Sequence, residues 1–302
     1  VTIAYGLFAL LLAFSEGQDW GWTSYRIVIL FLSGLLGIAL FVVIELAVEQ
    51  PLIDLRVFVS WPYTLSILLL AVSVTGLFTT LFFIPQFLQV VQGLQALDAG
   101  VVLVPSALVL VVMVPVAGRL YDRFGPRWPV SIGLLVMGYG SYLLAQMTTD
   151  TPRSDIELWT SIRNVGTGLC LIAIITAGVS ALRPELTGSG SAMNNVVQRV
   201  VSSVAVAVFS GLNMSSAAQL LADRGSLYGM GPEALPQVRD ATEQGVTGLL
   251  PLYMQLSASD ATQTYDNGFY IVALLCVGGA VLALFMRSGK AAAGAERGPV
   301  EL

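Results

Sequence analysis

Gly118-Arg119-Leu120-Tyr121-Asp122-Arg123-Phe124-Gly125-Pro126-Arg127 is a short charged stretch between two long apolar runs, 101–117 and 128–147. It holds three of the chain's 14 basic residues. In a chain this apolar, such a cluster marks a connection between two membrane helices on the side that retains positive charge. Outward from it, the same alternation of apolar run and polar turn covers the whole chain. Of the 302 residues, 56% are apolar and 11% charged, with a mean hydropathy of +0.80. A soluble domain carries about 25% charged residues. Runs near twenty apolar residues recur, the length a helix needs to cross the hydrocarbon core. Strand alternation is absent, which argues against a barrel. The expectation is an all-α membrane protein with the lipid bilayer as its solvent.

Eight spans are expected, at about 2–14, 27–48, 63–90, 99–117, 130–147, 158–182, 189–212 and 268–286. The first is only thirteen residues long and opens on Val1, so the chain is expected to start inside a helix of a longer protein. Trp20 and Trp22, in the polar turn after it, suit a membrane interface. Residues 1–48 thus hold two spans, and 49–61 form a surface linker too polar to cross. Residues 62–286 hold the remaining six, with a polar external loop at 213–266 that either covers a vestibule or forms two short surface helices. Pro85 marks a possible bend in the third span. The Ala- and Gly-rich tail 287–302 is expected to be disordered.

Basic residues set the orientation. One set of alternate connections carries eight positive residues against seven acids, the other five against twelve. The first set includes the 118–127 stretch and the C-terminus, which are therefore expected to be cytoplasmic.

Several chemistries have no support. The chain has no histidine, the commonest metal ligand and proton shuttle. Its two cysteines, Cys170 and Cys276, sit inside apolar runs without disulfide or metal spacing. No phosphate-binding Gly-Lys-Ser/Thr loop or nucleophile elbow is present. An enzyme is disfavoured, and neither a metal, a cofactor nor nucleic acid is an expected partner.

The order Gly-x-Leu-x-Asp-Arg-x-Gly-x-Arg at 118–127 resembles the loop signature of the major facilitator superfamily. Further pieces resemble its fourteen-span drug:proton antiporter, or EmrB/QacA-like, branch. They are Gly21-Trp22, Pro51-Leu52-Ile53-Asp54-Leu55-Arg56, Phe87-Leu88-Gln89, Gly93, Ala99-Gly100 and Pro105. Arg163, Gly166 and Gly168 match an Arg-x-x-Gly-x-Gly helix, and Gly190-Ser191-Ala192 with Asn195 match the start of the next. Where the branch reads Arg-Gln and then glycines, this chain has Gln198-Arg199-Val200-Val201. The resemblance implies that the first two spans are that branch's extra pair. The last six would form the C-terminal six-helix half of a major facilitator fold, built from two inverted three-helix repeats. It also implies proton-coupled efflux of amphipathic drug-like small molecules by alternating access, with a missing N-terminal half of the same protein as partner. No Asp or Glu lies deep in a span, so the proton-carrying group is expected in that half. The rivals are an exporter of a native lipid, peptide or metabolite, and a truncated, non-transporting membrane scaffold.

Three groups of residues are candidates. Gly118, Arg119, Asp122, Arg123, Gly125 and Arg127 would form a conformational-switch loop, its charges pairing with carboxylates or helix ends in one state only; the alternative is a topology anchor. Ser191, Asn195, Arg199 and Ser202 fall on one helix face, flanked by Gln198. Arg199, midway along its span, should face protein or a water-filled cavity. Asn195, Gln198 and Arg199 are thus candidate cavity residues, or else an interhelical hydrogen-bond network. On the third span Thr75, Thr79, Phe82, Gln86 and Gln89 share a face, with Phe78, Phe83 and Phe87 beside it. Thr79, Phe82, Gln86 and Gln89 are candidate linings for amphipathic, often cationic, aromatic substrates; the alternative is ordinary helix packing. Arg163 is expected near the outer end of its span, snorkelling to the interface.

Overall fold

The computed structural model describes residues 2–48, 54–228 and 246–286. Among them every regular element is helical, as expected. Eight α-helices run in chain order: α1 Thr2–Trp20, α2 Tyr25–Ala47, α3 Trp61–Val90, α4 Ala96–Phe124, α5 Arg127–Leu144, α6 Arg153–Ser180, α7 Thr187–Tyr228 and α8 Val246–Ala283. Short 3-10 turns precede α3 at Leu55–Val59 and α7 at Pro184–Leu186. Five helices among the described residues are long and apolar enough to cross a membrane: Tyr25–Glu45, Trp61–Val90, Ala96–Phe124, Arg153–Ser180 and Tyr265–Ala283. Residues 49–53 of the expected linker, 229–245 of the expected loop and the tail 287–302 lie outside the described residues.

Several helices extend beyond their apolar runs. The polar residues after Phe14 stay helical to Trp20, and α6 begins at Arg153. The charged stretch 118–127 is mostly helix: Gly118 to Phe124 form the last turns of α4, and Arg127 opens α5. The connection is only Gly125 and Pro126. Gly125 has φ 75° and ψ −177°, a conformation nearly exclusive to glycine. Of the 213–266 stretch, residues up to Tyr228 continue α7 and those from Val246 belong to α8. A polar composition does not by itself end a helix, because polar residues such as Glu, Gln and Arg have good helix propensity.

α1 and α2 form a close antiparallel hairpin. Gly6, Gly34 and Gly37 lie at the contact, where a Cβ on Gly37 would come within 3.1 Å of the Gly6 Cα. The pair meets the remaining helices through α1 on α7 and through Phe41 of α2 against Met193 of α7. The six-helix bundle centres on α3, which touches α4, α6, α7 and α8. α5 packs between α6 and α8, and α4 runs along α6. Leu65, Leu69, Leu70, Ile84, Leu134, Met137, Ile174, Phe269 and Val272 fill the interior. At one end Phe83 meets Tyr265 and Phe269 edge-on, at 5.1 and 5.9 Å between ring centres, tying α3 to α8. α2 and α4 leave long apolar faces open, including Leu32, Leu36, Leu97, Val101 and Leu108. Such faces suit lipid or another helical body, since hydrocarbon does not penalise them.

Candidate functional site

α3 and α7 run parallel and in a fixed register. Near the start of both, the buried Tyr63 hydroxyl donates to the Gly190 carbonyl at 2.8 Å and lies 3.4 Å from Asn194 Oδ1. About sixteen residues on, Thr79 and Val206 face one groove of about 500 Å³. The Tyr63–Gly190 contact sets the register at this end, and Val206 still faces α3 further along.

The groove is lined mainly by α3: Phe78, Thr79, Phe82, Phe83, Gln86 and Gln89, with Val206 across from them. The candidates Thr79, Phe82, Gln86 and Gln89 therefore stand together. Thr75 is not in the lining, and Phe87 is fully buried in the core. The Thr79 hydroxyl donates to the Thr75 carbonyl at 2.7 Å and keeps acceptor capacity. Gln89 Nε2 donates to the Pro85 carbonyl at 3.1 Å, which leaves its Oε1 available. Phe82 is half exposed and Gln86 is exposed. Aromatic faces plus a few directed amides are the usual makeup of a small-molecule site.

The α7 candidates are outside the groove's lining, seven to eleven residues before Val206 on the same helix. Asn195 and Arg199 are exposed and Gln198 is half-buried. Asn195 Nδ2 donates to the Ser191 carbonyl at 3.0 Å, and the Ser202 hydroxyl to the Arg199 carbonyl at 2.9 Å. Asn195, Arg199, Ser202 and Val206 are eleven, seven and four residues apart from the last, which puts them on one face.

Arg163 departs from expectation. It is fully buried, so it does not snorkel. α6 starts five residues earlier than its apolar run, at Arg153, which sets Arg163 in the third turn. Gly140 of α5 lies against its backbone and Gly76 of α3 against its guanidinium. Its Nε donates to Ser141 Oγ at 3.2 Å, while Nη1 and Nη2 have no hydrogen-bond partner. The next residue, Asn164, is also buried and donates to the Ser106 carbonyl at 2.9 Å, fixing α6 to α4. Tyr63, Asn164 and Asn194 were not among the expected site residues; lone polar residues in apolar runs were the only signal.

At the 118–127 connection, Arg119, Asp122 and Arg123 are exposed, and no ion pair among the described residues engages them. The Arg123 guanidinium lies 5.3 Å over the Phe124 ring. Arg127 is half-buried with its Nε unpartnered. Tyr121 turns inward, its hydroxyl 3.2 Å from Ser180 Oγ. A Cβ on Gly118 would meet nothing within 4 Å, whereas Gly125 is held by its backbone angle. Gly125→Ala should therefore destabilise the protein by about 1–3 kcal/mol. Gly118→Ala should be neutral or stabilise by up to about 1 kcal/mol, as in any open helix position. Thermal unfolding in detergent checks both.

The Major Facilitator Superfamily model matches residues 1–206. The uncharacterized MFS-type transporter YhcA of Bacillus subtilis is 30% identical over 301 residues, covering 93% of this chain and 56% of that protein. The lincomycin resistance protein LmrB of Listeria monocytogenes is 31% identical over 234 residues, 78% of this chain and 49% of that one. The tetracenomycin C resistance and export protein of Streptomyces glaucescens is 25% identical over 301 residues, 96% of this chain and 56% of that one. The chain thus spans about half the length of these relatives. Among solved structures, a bacterial homologue of the human lysosomal transporter Spinster, inward-facing and occupied, superposes with a TM-score of 0.56 at 17% identity. That match covers 95% of this chain and 67% of the other.

Proposed function

We propose a transport function from one premise: the chain belongs to the major facilitator superfamily of membrane transporters. On this reading the six-helix bundle α3–α8 is one wall of a secondary exporter of amphipathic, drug-like aromatic compounds. The observation that carries it is the groove on α3, where Phe82, Gln86 and Gln89 stand together beside an open α7 face. A second six-helix half supplies the opposite wall, and the two rock about the substrate in alternating access. The proton gradient is the energy source, with the proton-carrying group on the second half. The resistance and export proteins among the relatives support drug efflux as the cargo class.

The 118–127 stretch serves as a state-dependent latch. Its exposed Arg119, Asp122 and Arg123, without an ion pair among the described residues, meet carboxylates or helix ends of the other half in one state and release them in the other. The bundle sits in a bacterial inner membrane with this end cytoplasmic.

The test is efflux of a fluorescent aromatic dye from cells expressing the complete protein, with and without a proton uncoupler. Uncoupler-sensitive efflux is expected, and Phe82→Ala with Gln86→Ala should lower it at least about tenfold at matched expression, the loss of roughly 1.4 kcal/mol of binding or more. Efflux that survives the double change would separate the groove from the substrate path. A native lipid, peptide or metabolite as cargo is favoured only if dye efflux is absent in the unaltered protein.

A further inference from the structure

We infer that the compound this wall receives is a planar aromatic acid, its rings against Phe82 and its anionic group toward Arg199, and that permanently cationic compounds are the poorer class. The inference rests on reading the groove as a substrate wall and adds the charge of the ligand to it.

Charge in the wall is one-sided. Among the described residues no ionisable side chain lines the groove, where polarity comes from Thr79, Gln86 and Gln89. α3 carries no Asp, Glu, Lys or Arg along its whole length. From Thr187 to Val208, α7 has one charged residue, Arg199. A cation brought here meets no carboxylate among the described lining residues, Asp266 of α8 standing outside the lining, and the rings of Phe78 and Phe82 are a weak substitute for one. An anion meets an exposed guanidinium with no ion-pair partner among the described residues.

Geometry connects the two parts. Counted from the Tyr63–Gly190 contact, Arg199 lies as far along α7 as Val72 does along α3, one turn below Thr75. It lies seven residues, or roughly 10.5 Å along the helix, from Val206. Arg199, Ser202 and Val206 share the open face, so one elongated molecule can touch all three. Its rings lie along Phe82. Ring oxygens take the exposed Gln86 amide, and ring hydroxyls donate to Gln89 Oε1 or Thr79 Oγ1. Its acid pairs with the guanidinium, whose planar fork matches a carboxylate in two places. Lysine would retain the charge and lose the fork.

The test uses the complete protein in everted vesicles with two dyes of one ring system, the anionic fluorescein and the cationic rhodamine 6G. The unaltered protein should move fluorescein in preference. Arg199→Ala should raise its KM for fluorescein at least tenfold, Arg199→Lys should retain part of the activity, and Arg199→Glu should reverse the preference toward rhodamine 6G. Phe82→Ala should weaken both dyes. Preference for rhodamine 6G in the unaltered protein, or fluorescein transport unchanged by Arg199→Ala while Phe82→Ala lowers it, would overturn the inference and leave the groove in place. Neither dye moving, nor binding to the purified protein by fluorescence anisotropy, would overturn the substrate wall and this inference with it.

Discussion

Gly166→Ala is expected to lower the stability of the bundle by about 3 kcal/mol, and to cut the amount of folded protein recovered from membranes several-fold. The added Cβ would overlap Met137 N and Gly133 O and come within 2.8 Å of the Met137 Cα. All three are backbone atoms of α5, so no side-chain rotation relieves them. The same contact recurs along the pair. A Cβ on Gly133 would meet Cys170 N at 2.8 Å, and one on Gly140 would meet the Arg163 Cα at 2.7 Å. Without a hydrophobic drive between helices in lipid, such close backbone approach is what holds two of them together. Gly278→Ala on α8, where nothing lies within 4 Å, is the control and should change stability by less than about 0.5 kcal/mol. Thermal unfolding of the detergent-solubilised protein reads both. A Gly166→Ala protein as stable as its control would mean that α5 and α6 are further apart than described.

The opposite sign is expected at Arg163. Arg163→Met should raise stability by about 1–4 kcal/mol, because an apolar residue of similar length replaces a buried charge that is not fully paired. A charge at this depth costs at least about 2.5–3.5 kcal/mol on insertion scales. One hydrogen bond, to Ser141, offsets little of that, and Ser141 keeps its own bond to the Met137 carbonyl at 2.9 Å. The same unfolding measurement decides it. A gain in stability with loss of transport would show that Arg163 is kept for the cycle at the expense of the fold. A loss of stability would show that Nη1 and Nη2 acquire partners in the membrane.

The helices were legible because membrane spans declare themselves by length and composition. The α3 face was legible for a related reason: in a helix of Leu, Val and Phe, five polar or aromatic positions at steps of three and four stand out. Arg163 was misplaced because depth was counted from the first apolar residue, near Leu158, whereas the helix begins at Arg153. Its burial depends on Gly76, Gly140 and Ser141, residues from two other helices, which no local pattern records. The charged stretch read as a loop for the same reason: charge density located the end of the membrane span but not the end of the helix. That the four α3 candidates share a groove while Asn195, Gln198 and Arg199 fall outside its lining depends on the register of α3 against α7. Tyr63 and Gly190 set that register across 127 residues of sequence.

The two-residue turn at Gly125 and Pro126 has a mechanical consequence. Charges on a flexible loop could swing by themselves; Arg119 and Arg123 cannot, because they ride on the last turns of α4. α4 is 29 residues long, roughly 43 Å at 1.5 Å per residue. Pro105 and Pro115 interrupt its hydrogen-bond ladder, so residues 116–124 form its stiff end and the prolines are where it can bend. On the latch reading, a contact made or broken at Arg123 thus moves residues 116–124 as one piece about the Pro115 joint.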